Sequence, residues 1–420
     1  MSARAEIAVV GGGAAGFAAA LAFAARGRAV DLYTGTMPQA QGPLDPRVFE
    51  LWPNAMRALA KILSREAIAE LKWPTLERYD LRSRHGALLT SLPVGAISRR
   101  AGYDTYVATP SALHTALLGH VRASKRIDVR VATVKKMEGD SILGVTLSAT
   151  RGKGGPYRLI VGADGRASTV RRLTESSNGP FPNRADAQLT RLAAICGYSD
   201  AGLAGDRDAL GSGSAFASHG PDARIGVWSL PGDPTITPWI VFAPRKAIFD
   251  DVAHLPEGAE LLRRTRAVVE PFCLAYRGLI ESTRPDQVRC FPQWHLPVTL
   301  ADWFMGSIAL VGDAAHFVLP DLGQGCAMAF EDGEALARHF EGVDLKDRGQ
   351  KRDALLLWRQ ERFERVLRVQ RESLAAHHYS HIDLGMPQLR DRAIASIGGA
   401  TLGEGIERMI RDDGTAATPC

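Results

Sequence analysis

The sequence predicts an α/β fold: a Rossmann-like dinucleotide-binding domain, an inserted antiparallel-sheet domain, and helices at the C-terminus. Three observations predict it. A strand, a glycine turn and a helix open the chain. Two later buried strands each end in small residues around one aspartate, Asp164 and Asp313. Between those two strands lies a run of alternating, β-branched segments separated by turns. A chain of 420 residues is long enough for two to three domains and buries its core without disulfides. Its 45% hydrophobic and 23% charged content excludes disordered, collagen-like and rod-like classes. The net charge of +5 is too mild to imply a nucleic-acid partner. Five scattered cysteines without a C-x-x-C exclude a disulfide framework and a zinc knuckle, and fit a reducing, cytoplasmic setting.

From Ile7 to Ala25 there is no charged residue, which is formally long enough to span a membrane. The stretch changes character midway, however, from β-rich Ile7–Val10 through three glycines to an alanine-rich helix former. No membrane span is therefore expected. Glu6 to Val10 reads as a buried strand, Ala14 to Arg26 as a helix ended by Gly27, and Ala29 to Tyr33 as a second strand. The turn Gly11-Gly12-Gly13-Ala14-Ala15-Gly16 is G-x-G-x-x-G. Gly11 permits the tight turn, Gly13 lets a pyrophosphate approach the backbone, and Gly16 lets helix and strand pack closely. The N–H groups at Ala14 and Ala15 face the phosphates with the positive end of the helix dipole. The acidic residue expected at the end of the second strand falls at Thr34, which cannot chelate both ribose hydroxyls. Alone, this unit leaves NAD and FAD open.

Tyr157 to Val161 leads into Gly162-Ala163-Asp164-Gly165-Arg166-Ala167-Ser168-Thr169-Val170-Arg171. Ser307 to Val311 leads into Gly312-Asp313-Ala314-Ala315-His316, then Pro320, Gly323-Gln324-Gly325 and a helical stretch from Ala327 to Phe340. Small residues after a buried strand let backbone pack on a flat ligand while a carboxylate takes a sugar hydroxyl. The Gly323-Gln324-Gly325 turn opens a helix whose dipole can stabilise negative charge.

With these three motifs in order and widely spaced, the chain from about residue 5 to 380 resembles the FAD-dependent class A aromatic monooxygenases, which include p-hydroxybenzoate and salicylate hydroxylases. The resemblance implies bound FAD, reduction by NADH or NADPH, and a C4a-hydroperoxyflavin that inserts one atom of O2 into a small aromatic or heteroaromatic substrate. It further implies that Gly11, Gly13 and Gly16 line the pyrophosphate and that Asp313, after Gly312, binds the ribityl chain. Gly323, Gln324 and Gly325 would face the flavin pyrimidine, and Arg47 lie near the ring. Asp164 and Gly165 would join the FAD side to the groove that the nicotinamide visits, and His316 and Pro320 would wall the ring from the substrate. Two departures stand out: Pro110 where the family often has arginine, and Cys326-Ala327-Met328 where it often has asparagine. No second nucleotide-binding βαβ is expected, because Gly152 to Gly155 and Gly211 to Gly213 read as loops.

The expected partition is FAD-binding at 1–75, 101–175 and 295–345, substrate domain at 76–100 and 176–294, and a C-terminal helical region at 346–420. Strands are expected over Leu189 to Tyr198, Gly213 to Ser218, Arg224 to Leu230 and Trp239 to Phe242. Trp228, Trp239, Tyr198 and Trp294 are candidates to line a pocket or to fill the core. Hydroxylation of a phenol runs faster through its phenolate, so a base is expected near the substrate hydroxyl, and His219 and His295 are the candidates. His377, His378 and His381 read as a polar helix end rather than a metal site. Asp353 to Ala376 reads as a long helix with Leu356, Phe363, Leu367 and Leu374 inward and Arg359 and Arg362 outward. Arg263-Arg264-Thr265-Arg266 reads as a solvated helix face, and the tail after Arg411 as disordered. Competing readings are a flavin epoxidase or oxidative tailoring enzyme with a larger pocket, and a flavin-binding scaffold without catalysis.

Overall fold

The computed structural model describes residues 5–35, 45–140, 144–175, 187–200, 211–229, 236–296, 303–380 and 387–411. Near-continuous apolar runs form a six-stranded sheet, as strands buried on both faces must. Its order is Phe304–Met305, Ile308–Leu310, Leu159–Gly162, Ile7–Val10, Val30–Thr34 and Ile127–Val131. All neighbours run parallel except the two-residue edge strand Phe304–Met305. Ile7 aligns with Leu159 on one side and Val30 on the other, so the three glycine- or aspartate-bearing turns all leave the same sheet edge. Each buried aliphatic side chain here contributes about 1.5–3 kcal/mol. The alanine-rich helix Ala14–Ala25 packs so closely on the helix Gly325–His339 that a Cβ at Gly333 would sit 2.8 Å from Ala19 N.

The second large sheet has seven strands, ordered Val288–His295, Gln188–Ser199, Thr237–Pro244, Arg224–Trp228, Ser214–His219, Arg78–Ser83 and Leu88–Leu92. It is not wholly antiparallel: Ser214–His219 runs parallel to Arg78–Ser83. The chain leaves this sheet after Leu92 and returns only after Gln188, so no hairpin dictates their direction. Alternation gives the sheet two faces. Ile195, Phe216, Ile225, Val227, Trp239 and Val241 point outward into a core closed by the helices Gly258–Val269 and Leu274–Glu281. Arg263 and Arg264 of the first of these helices pair with Glu260 at its surface, while Thr265 is buried. By the same register Tyr79, Tyr198, Arg224, Trp228, Phe242 and Phe291 share the inner face. Trp239 is thus core, its indole N–H donating to Thr283 Oγ1 at 2.9 Å.

Two expectations need correction. Gly152 to Gly155 is not a loop but part of the strand Gly152–Tyr157, which pairs with Gly144–Ala149 in a three-stranded meander. The long helix spans Arg348–Ser380, and its inward stripe is Leu355, Trp358, Arg362, Val366 and Val369, leaving Leu356 41% exposed. Arg362 is buried because carboxylates wait for it on a distant helix, which local periodicity does not reveal. A last helix, Pro387–Ile410, kinks at Gly398 and ends against the core through Met409 and Ile410. His381 and the tail from 412 onward lie outside the described residues. Among the described residues no helix is long and apolar enough to cross a membrane.

Candidate active site

At the first turn, Gly11 has φ +131°, and a Cβ there would lie 2.1 Å from the Ala163 carbonyl oxygen. A Cβ at Gly16 would meet the Gly11 oxygen at 1.8 Å. These two glycines are required by close approach. Gly13 is different: nothing lies within 4 Å of an added Cβ. It precedes a helix whose N-terminus has no side-chain cap and no acidic residue in its first turn, so the N–H groups at Ala14 and Ala15 lack side-chain partners. Thr34 is buried and packs on Gly12. His114, which sequence reasoning passed over, stacks on Phe17 at 4.8 Å and hydrogen-bonds the Gly12 carbonyl through Nε2 at 3.1 Å. Its helix starts at Pro110 with Thr109 as cap, so the proline serves as first helical residue.

At the second turn Asp164 spends its carboxylate locally, accepting from Ser168 Oγ and from the N–H groups of Thr169 (2.6 Å) and Val170 (3.0 Å). It caps the helix Thr169–Glu175, a use the expected groove role did not anticipate. Gly165 has φ +76° and open space around it. Arg166 lies over the Trp294 ring at 4.4 Å.

At the third turn Gly312 has φ +57°, and a Cβ there would sit 2.9 Å from Ala15 Cβ, which places Asp313 beside the first helix. Asp313 accepts no hydrogen bond among the described residues. Burial pushes its pKa up to about 6, against the pull of His316, Arg47 and Arg166. Arg47 pairs with Asp45 (Nε–Oδ1 2.9 Å), lies 4.8 Å over Phe291, and its side chain is 43% exposed. Gly325 has no neighbour within 4 Å of an added Cβ, and Gln324 is the uncapped start of its helix.

A network invisible in the motifs holds the third turn. Asp332 Oδ2 accepts from Gly312 N (2.8 Å) and from His316 Nε2 (2.6 Å), and Asp332 Oδ1 from Arg362 Nε (2.9 Å). Glu331 accepts from Arg362 (2.6 Å), Arg365 (3.2 Å) and Asn54 (2.8 Å), and Asn54 also donates to Gln324 Oε1 at 2.9 Å. Burial opposes ionisation here, but Arg365 and Arg362 override it and hold Glu331 down at about 2. His316 is therefore a buried partner of Asp332, 1% exposed, and not a wall residue facing a ligand. Pro320 is exposed at the start of the Pro320–Leu322 turn.

The inner sheet face closes on this segment. Arg224 Nη2 pairs with Asp321 Oδ1 at 3.1 Å and its guanidinium lies 4.5 Å over Phe242. Asp321 Oδ2 also accepts from His377 Nδ1 at 2.9 Å, so His377 turns inward rather than ending the helix in solvent. The Trp228 indole donates to Glu50 Oε1 at 2.9 Å, and Tyr198 OH to the Asp45 carbonyl at 3.4 Å. His295 is half-buried, its pKa lowered by burial and by His377. His219 is 4% exposed at a strand end, its carbonyl held by Arg390 at 2.9 Å, so it is a packing residue here.

No family model matches the chain. It is similar to the 6-hydroxynicotinate 3-monooxygenase of Bordetella bronchiseptica, 26% identical over 385 residues covering 89% of this chain and 91% of that protein. It is 29% identical over 330 residues to the 2-heptyl-3-hydroxy-4(1H)-quinolone synthase of Pseudomonas aeruginosa, with 76% of each covered. The structure of Klebsiella pneumoniae HpxO complexed with FAD and uric acid superposes with a TM-score of 0.82 at 19% identity, covering 98% of this chain and 97% of that one, which establishes the shared fold. The three turns and the relatives' names agree: the chain is similar along most of its length to FAD-dependent class A monooxygenases, and these findings support an FAD-dependent monooxygenase that uses NAD(P)H and O2 on an aromatic or heteroaromatic ring.

Proposed function

We propose that FAD lies across the edge of the parallel sheet. Its pyrophosphate rests on Gly11, Gly13, Gly16 and the N–H groups of Ala14 and Ala15, with Thr34 toward the adenosine. Asp313, presented by Gly312, takes the ribityl hydroxyls. Gly165, Arg47 and the Gly323-Gln324-Gly325 turn border the ring. One observation carries this reading: Gly13, Gly165 and Gly325, on three separate loops, each face open space, and beside them stands a carboxylate that no described residue satisfies. A hydroxyl donor relieves such a carboxylate, and uncapped helix starts suit phosphate and ring oxygens. In this arrangement the parallel half (1–75, 101–175, 295–345) binds FAD, the antiparallel half (76–100, 176–294) binds substrate, and the C-terminal helices brace the former. Reduced by NADH or NADPH, the FAD supplies oxygen activation. The chain's part is to bind, orient and keep water out.

The substrate is inferred to be a hydroxylated or oxo-substituted nitrogen heterocycle, seated between the inner sheet face and the segment from Asp313 to Gly325. The names of the relatives and the ligand of HpxO, a nicotinate, a quinolone and uric acid, support this class. Cytoplasmic residence fits a consumer of reduced nicotinamide whose described cysteines are all free. The test is aerobic NAD(P)H oxidation by purified holoenzyme against a panel of such rings, with isotopically labelled O2. Substrate-stimulated oxidation and one labelled oxygen in the product are expected. Bound FAD with no stimulation by any ring contradicts the substrate class and favours the scaffold reading.

A further inference from the structure

We propose that Glu50 and Arg224 are opposed poles of the substrate site: Glu50 takes the proton of a ring hydroxyl or lactam N–H, and Arg224 holds the oxygen that carries the resulting charge. This rests on the substrate reading above.

Both groups are placed by the same turn. A Cβ at Gly323 would lie 3.3 Å from Glu50 Oε2, and Asp321, two residues earlier, holds Arg224. Glu50 is a half-buried carboxyl that accepts a hydrogen bond from the Trp228 indole N–H. The Trp52 N–H lies beside it without completing a hydrogen bond. Burial raises its pKa against the pull of Trp228, Trp52 and Arg224, which strengthens it as a base. The other acids nearby are committed differently: Asp321 is fully buried between Arg224 and His377, and Asp313 is the expected ribityl partner. Arg224 presents a planar fork of donors stacked on Phe242, the geometry that suits a flat anion better than an ammonium would. The O–H or N–H bond of the ring breaks, an O–H bond forms on Glu50, and the electron pair stays on the ring. The ring carbon that receives oxygen becomes more electron-rich. Asp321 and His377 are positioning residues that orient Arg224. The other titratable groups facing this site are Tyr79, from the strand Arg78–Ser83, and His295, whose pKa His377 helps to lower.

The test uses FAD-loaded enzyme with 6-hydroxynicotinate and 4-quinolone as probes, each beside an O-methylated analogue that has no ionisable ring proton. Binding is followed by the flavin difference spectrum and turnover by NAD(P)H oxidation. Glu50→Gln is expected to keep its FAD and probe affinity, lose the acid limb of the kcat/KM profile, and lower kcat/KM about 100-fold. Arg224→Met is expected to weaken the ionisable probes at least tenfold and leave the methylated ones unchanged, with Arg224→Lys partly restoring the difference. Asp321→Asn should shrink the preference for ionisable over methylated probes at unchanged FAD content. A Glu50→Gln enzyme with the wild-type profile overturns the proposal, as does an Arg224→Met enzyme that loses both probe types equally. Probes that bind without stimulating turnover refute the hydroxylation reading, and the binding ratios alone then decide this one. Probes that do not bind at all overturn both.

Discussion

Two clusters of charge flank the segment from Gly312 to Gly325, and they are built in opposite ways. Behind it, Glu331, Asp332, Arg362 and Arg365 neutralise one another; Asp332 holds the Gly312 N–H and the His316 ring, and Asn54 links Glu331 to the Gln324 side chain. In front of it, Glu50 accepts from the Trp228 indole, and Arg224 pairs with Asp321 and lies over the Phe242 ring. The same residue types therefore give opposite carboxyl behaviour: Glu331 is held down at about 2, whereas Glu50 is raised. A closed network stores rigidity, whereas the raised Glu50 carboxyl keeps bonding capacity for a ligand.

Breaking the closed cluster should have the largest effect. Arg362→Met leaves buried carboxylates without their main counter-charge and should cost about 3–5 kcal/mol in denaturant unfolding, with accelerated FAD release. Next comes Asp313→Asn. Because the pKa of Asp313 rises from 3.8 to about 6 on folding, the folded apoprotein binds more protons than the unfolded chain in that window. Apoprotein stability should thus fall as pH rises from about 4 to 6, by on the order of 2 kcal/mol. The variant should lack that fall, melt higher than wild type at pH 7, and bind FAD more weakly. Asn54→Ala should cost about 1–2 kcal/mol and loosen Gln324, read as weaker FAD affinity. Trp228→Phe sharpens the open side with the smallest effect: losing an N–H that favours the charged Glu50 raises its pKa further. The acid limb of kcat/KM should move to higher pH by less than about one unit, with little change in melting temperature.

How much of this was legible in the sequence follows from what each feature depends on. The glycine turn, the two aspartate turns and the parallel strands were readable because backbone geometry and local apolar runs dictate them. Alternation also foretold the strands from Gln188 to Pro244, but not which tryptophan faced inward: Trp228 does and Trp239 does not. The parallel pairing of Ser214–His219 with Arg78–Ser83 depends on a long excursion of the chain, which no local signal encodes. Arg362 and His377 looked like surface charge because their partners lie on distant segments. His316 was found by its motif but misread in role, since Asp332, its partner, sits on the following helix. Glu50 sat in plain view three residues after Arg47, and its burial beside Gly323 appears only in three dimensions.

Equilibrium titration of FAD into the apoprotein and its Gly13→Val variant tests the central claim most directly. Gly13 has ordinary backbone angles and empty space where a side chain would go. One FAD per wild-type chain is expected, and a variant that melts at the wild-type temperature yet binds FAD at least 100-fold more weakly. A wild-type protein that stays colourless, or a variant that binds FAD equally well, would contradict it.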